Sequence, residues 1–188
     1  MVISINNIYA EIVNTATVSY KDLAKKESFG TTTAIIKVYT KVIEPGTSGI
    51  ATSSDLKARL IIPAGVLPTI AYVRIDEYSY EDPKVREANE DAEKNSNLKP
   101  IYGNKSYDFI MDNAQGKSIG TLTGNVTISI AYSDINNDGK VDGTNIRVQT
   151  LKMFILKDNK WELVSNSKPD HAQKIVEANL NHVSIWFF

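Results

Sequence analysis

The chain predicts an all-β fold, an antiparallel β-sandwich carrying one short surface helix. Three observations lead there. Val126, Ile128, Ile130 and Tyr132 alternate with Thr127, Ser129 and Ala131, the period-two pattern of a strand with one buried face. Runs rich in Val, Ile, Thr and aromatic residues recur along the chain, bounded by Gly, Pro, Asn and Asp clusters. A single charged segment, from Glu81 to Asn95, departs from that pattern.

In chain order, the strand-like runs are Tyr9–Tyr20, Thr32–Ile43, Leu56–Ile62, Thr69–Tyr78, Tyr107–Met111, Asn125–Ser133, Ile146–Lys157, Trp161–Val164, Lys174–Leu180 and His182–Phe188. Leu56, Ala58, Leu60 and Ile62 alternate until Pro63-Ala64-Gly65 stops the run. The helix is predicted over 82–94, with Asp82 as its cap and Pro83 in its first turn. Val85, Ala88 and Ala92 give it a thin apolar stripe, so the segment is expected on the surface and exposed. Val126, Ile128, Ile130, Leu151, Met153, Ile155, Val183, Ile185 and Phe187 are the predicted core. Many short strands at roughly regular spacing suit a sandwich, and 188 residues suffice for one domain with a proper core.

Composition narrows the function. With 21 basic and 22 acidic residues spread along the chain, the net charge of −1 gives no footprint for nucleic acid. The absence of cysteine excludes disulfides, thiol chemistry and thiolate zinc sites. No apolar run approaches the ~18 residues of a membrane span. The first residues, Met1-Val-Ile-Ser-Ile-Asn6, do not form a signal peptide. The expectation is a mature segment of a longer secreted chain, its signal peptide removed or lying outside this stretch.

The most informative motif is Asp134-Ile-Asn136-Asn-Asp138-Gly139-Lys140-Val-Asp142. It sets oxygen-bearing side chains at every second position and a glycine at the sixth. A hard cation such as calcium needs six to eight oxygens, and glycine permits the sharp turn between them. Asp134, Asn136 and Asp138 would donate side-chain oxygens, Lys140 its carbonyl, and Asp142 a direct or water-mediated oxygen. Asn145 stands where an EF-hand places its bidentate acid, so binding is expected to be weak, roughly 10⁻⁴–10⁻³ M. The flanking runs read as strands rather than helices, which predicts a metal-pinned hairpin with a structural role. A plain turn is the alternative, since Asn-Asp-Gly reverses the chain without metal.

Three stretches occur in order: Leu60-Ile-Ile-Pro63-Ala-Gly65-Val-Leu67, then Tyr107-Asp-Phe109 with Val126–Asp134, then Leu151-Lys-Met-Phe154 with Trp161–Val164 and Asn181-His182-Val183-Ser184-Ile185. Together they resemble ZU5-type domains. The match covers about 54–188, and residues 1–53 supply additional strands of no evident affiliation. The resemblance implies a non-catalytic β-sandwich module for structure or protein interaction. Its setting would be a larger secreted or surface-displayed bacterial protein, with other modules of that protein or another surface protein as partners. It also draws attention to His182 and Ser184, because parts of that family cleave themselves before the serine of a His-x-Ser motif. Strand alternation puts His182 and Ser184 on one face, but that chemistry also needs a strained peptide and an activated base. Val183 favours relaxed strand geometry, so an uncleaved last strand is expected and no enzyme activity is assigned. A carbohydrate-binding module is the other alternative, with Tyr72, Tyr78, Tyr80, Tyr102 and Tyr107 as a candidate sugar-stacking face; strand tyrosines more commonly pack half-buried.

Overall fold

The computed structural model describes residues 12–21, 27–36, 39–95, 105–182 and 185–187. The chain divides into two compact units, 1–39 and 40–188. In the first, β1 (Ile12–Lys21) and β2 (Glu27–Ile36) form an antiparallel pair.

The second unit is all-β and sandwich-like, built on two antiparallel sheets. Its strands are β3 (Lys41–Ile43), β4 (Gly49–Thr52), β5 (Ala58–Ile62), β6 (Ala71–Tyr78), β7 (Ser106–Asp112), β8 (Val126–Ala131), β9 (Phe154–Lys157), β10 (Lys160–Leu163), β11 (Lys168–Asp170), β12 (Ile175–Leu180) and β13 (Ile185–Phe187). One sheet has the order β10-β9-β13-β7-β6-β3 and the other β11-β12-β8-β5-β4. Side-chain alternation fixes which faces meet. Ala58, Leu60 and Ile62 of β5, with Val126, Ile128 and Ile130 of β8, share one core cluster with Val73 and Ile75 of β6 and Phe109 and Met111 of β7. Burying apolar surface between the sheets is the main source of stability. At one edge the sheets approach closely: a Cβ on Gly49 would lie 2.5 Å from Ile43 Cδ1, so any larger residue there must displace the Ile43 side chain.

Helix α1 (Pro83–Asn95) begins where the sequence predicts. The Asp82 carboxylate accepts from the Lys84 N–H at 3.0 Å, a side-chain cap over the first turn. The expectation of an exposed segment needs correction. Val85, Ala88 and Ala92 are buried with Trp161, and Tyr78, Phe154 and Leu156 pack against them. A stripe too narrow to enter a core is wide enough to cover one tryptophan.

Several predicted strands also need correction. Leu56 leaves the Leu60 alternation: its φ of 63° belongs to the turn between β4 and β5, and its side chain is 68% exposed. The run 146–157 is strand only from Phe154, because Val148–Thr150 form a 3₁₀ turn that buries Val148 and Leu151 on one side. Thr32–Ile43 splits between β2 and β3, while β4 and β11 carry no sequence signal of sufficient length. Of the predicted core, Val126, Ile128, Ile130, Leu151 and Met153 are buried, and Ile155 is partly buried against them. The side chains of Val183, Ile185 and Phe187 lie outside the described residues. Two-residue geometry is legible at Asp158-Asn159, where φ values of 49° and 58° suit the tight turn joining β9 to β10.

Candidate metal loop and neighbouring polar sites

Asp134–Asp142 is not the hairpin the sequence suggests. Strand β8 pairs with β5 and β12, whereas β9 belongs to the opposite sheet. The loop is therefore part of the crossover from one sheet to the other. Among the described residues its one ladder contact is local, a bridge between Lys140 and Arg147.

Within the loop the alternating oxygens turn inward onto backbone donors. Asp134, 7% exposed, accepts from the Asp138 N–H at 3.1 Å and the Gly139 N–H at 3.3 Å. Asn136 Oδ1 accepts from the Asp138 N–H at 3.2 Å, and Asp138 Oδ1 from the Lys140 N–H at 2.9 Å. Positive φ at Asn137 and Gly139 makes this curl possible. Asp142 faces the other way. Its carboxylate accepts from Ser133 Oγ at 2.6 Å and from the Ile135 N–H at 3.1 Å, closing the root of the loop. Lys174 Nζ donates to the Asp134 carbonyl at 2.5 Å and ties that root to the turn before β12.

The donor set suits a hard cation in its chemistry: carboxylate, amide and carbonyl oxygens only. Each carboxylate has about four acceptor positions, so Asp134 and Asp138 retain capacity beyond the bonds they make. Convergence is less complete. Among the described residues no three His, Cys, Asp or Glu side chains are grouped to hold a metal, which accords with Asp142 being committed to the loop root.

The remaining sequence candidates separate. His182 is exposed, with Nδ1 at 3.2 Å from Asn181 Oδ1, and Ser184 lies outside the described residues. Tyr107 cannot belong to a sugar-stacking face. It is 2% exposed within the sandwich and donates its hydroxyl to Asp55 at 2.9 Å. Tyr72 and Tyr78 lie on the outer face of their sheet, where Tyr78 sits under Lys84 at 4.6 Å from the ring centre. Tyr80 donates to Glu93 at 2.6 Å, and Tyr102 is outside the described residues.

A polar network that sequence reasoning missed closes one end of the sandwich. Lys105 Nζ meets Glu77 at 2.5 Å and Asp55 at 3.4 Å. Asp55 accepts from Ser53 Oγ at 2.7 Å and the Lys57 N–H at 3.0 Å, and Glu77 accepts from the Asp55 N–H at 3.1 Å and from Ser54 Oγ. Burial pushes the Asp55 carboxyl up, but the Lys57, Ser53 and Tyr107 donors and the Lys105 charge outweigh it and hold the group below its ordinary value. Glu77 is likewise held low, burial being overcome by its bonds to Lys105, Ser54 and Asp55. Every member of this set faces another member, which is the pattern of a structural lock. Its bonded partners are up to 52 positions apart in sequence, so no local motif announces it.

No helix among the described residues is long and apolar enough to cross a membrane. Compared with known proteins, the chain matches no family model and no curated protein.

Proposed function

We propose that the chain is a non-catalytic structural or protein-interaction module, ZU5-like, of a larger secreted or surface-displayed bacterial protein, in which calcium stiffens a sheet-to-sheet crossover. The observation that carries the calcium reading is the inward turn of Asp134, Asn136 and Asp138 within one short loop. These three side chains and the Lys140 carbonyl would hold the ion. Bound there, calcium would supply positive charge between Asp134 and Asp138, offsetting repulsion that the loop otherwise relieves through backbone N–H donors. Asp142 keeps the loop root closed in either state. Weak affinity suits a setting in which calcium is millimolar, and that condition holds outside cells.

The direct test is thermal unfolding of the full chain in calcium or in chelator. The expected result is a higher Tm with millimolar calcium, reversed by chelator and absent in Asp138→Ala. A parent protein whose Tm ignores calcium would leave the loop as a turn only.

A further inference from the structure

The outer face of the five-stranded sheet carries a trough of about 170 Å³, lined by Lys57, Arg59, Ile61, Ser129, Ile175 and Glu177 among others. Its origin is a difference in side-chain size across three strands. On β8 the outward residues Ser129 and Ala131 are short, while β5 and β12 on either side raise Arg59, Ile61, Ile175 and Glu177 as walls. Arg59 and Glu177 both lie in register with Ser129, one on each neighbouring strand. With strands ~4.8 Å apart, their backbones stand about 10 Å from each other.

Four polar side chains in this trough, those of Lys57, Arg59, Ser129 and Glu177, make no hydrogen bond or ion pair among the described residues. The Arg59 guanidinium and the Glu177 carboxylate flank the same floor without forming an ion pair, and Ser129, only 4% exposed, offers an unbonded hydroxyl between them. Among the described residues Arg74 Nε is the one buried side-chain polar atom without a partner, so the Ser129 oxygen keeps contact with solvent and is open to a ligand's hydrogen bond. Lys168 stands opposite Glu177 on β11 but does not close a bridge with it. Ile61 and Ile175 supply apolar wall on both sides. Cation on one wall, carboxylate on the other, hydroxyl below and aliphatic surface beside them are complementary to a small zwitterion with an apolar portion.

We propose that this trough binds a small zwitterionic amphiphile of the class of a free aliphatic α-amino acid. Its carboxylate lies on Arg59, its ammonium on Glu177, and one of its polar atoms takes up the Ser129 hydroxyl. The aliphatic side chain packs against Ile61 and Ile175. The volume suits a ligand of that size and is well below the ~300 Å³ at which drug-sized pockets begin. The site is separate from the metal loop and does not depend on calcium.

The test is an NMR titration of the full chain with L-leucine, with 4-methylpentanoate, which lacks the ammonium, and with 3-methylbutylamine, which lacks the carboxylate. Leucine is expected to give saturable shifts at the amides of Arg59, Ser129 and Glu177, with both truncated probes at least about tenfold weaker. Arg59→Gln should abolish leucine binding. Glu177→Gln should reduce it to the level of 4-methylpentanoate while leaving that probe's own affinity unchanged. Both substitutions are on the outer face, and retained spectral dispersion confirms the fold. The proposal is overturned if leucine gives no saturable shift up to roughly 10 mM, if the shifts map elsewhere, or if 4-methylpentanoate binds the parent chain as well as leucine does.

Discussion

Trp161 Nε1 donates to Asn89 Oδ1 at 2.9 Å, joining residues 72 positions apart. Asn89 is 1% exposed and uses its amide nitrogen on the Tyr80 carbonyl at 2.8 Å, so one side chain fixes helix α1 both to β10 and to its own entry turn. Replacing Asn89 with Ala leaves a buried indole N–H and a carbonyl each without that partner. The expected cost is about 1–3 kcal/mol, read as a lower urea midpoint, with Trp161 fluorescence shifted to the red. An unchanged midpoint would mean that the Asn89 bonds add nothing to stability.

Ile128 tests the core. It is fully buried on the central strand β8, flanked in register by Leu60 and Ala178. Ile128→Ala should cost ~2–5 kcal/mol in chemical denaturation. A loss well under 1 kcal/mol would contradict the register, since a one-residue slip exchanges buried and exposed faces.

Asp138 and Asp142 should respond differently to calcium. Asp142 bonds the loop root without metal, so Asp142→Ala should lower Tm in chelator as well as in calcium. Asp138→Ala should remove mainly the calcium increment, about 1.4 kcal/mol at ten times Kd. Equal losses for the two variants in chelator would show that both are turn residues only.

Asp55 and Glu77 should shape the acid limb of stability. Both carboxyls are held below their ordinary values. The stability they contribute is therefore fully present above the unfolded values near pH 4 and is lost as pH falls through the lower folded ones. Asp108 opposes them: burial and the nearby Asp76 raise its carboxyl against the pull of Lys84 and Arg74. Its contribution favours the protonated form and is lost as pH rises through its folded value. Asp55→Asn should lower stability at neutral pH and flatten the decline on acidification. The check is a series of urea midpoints across the acid range, and an undiminished decline in the variant would remove Asp55 from the account.

The fold class, the β8 alternation and the cap of α1 are legible in the amino-acid order alone. These rest on short-range physics: a two-residue period for one buried face, and an Asp-Pro pair for a helix start. Val126, Ile128 and Ile130 are buried as their spacing requires, and Asp82 caps as its position requires. Tertiary structure alone decided the rest. Nothing local distinguishes a loop joining two paired strands from one crossing between sheets, because partner choice is set by burial across the whole sandwich. For that reason the motif 134–142 was legible as an oxygen-rich turn but not as a crossover. The same limit applies to Asp55 with Lys105, Asn89 with Trp161, and the Arg59–Ser129–Glu177 row. Each is assembled from distant segments whose meeting depends on register, and register is a property of the packed sheets.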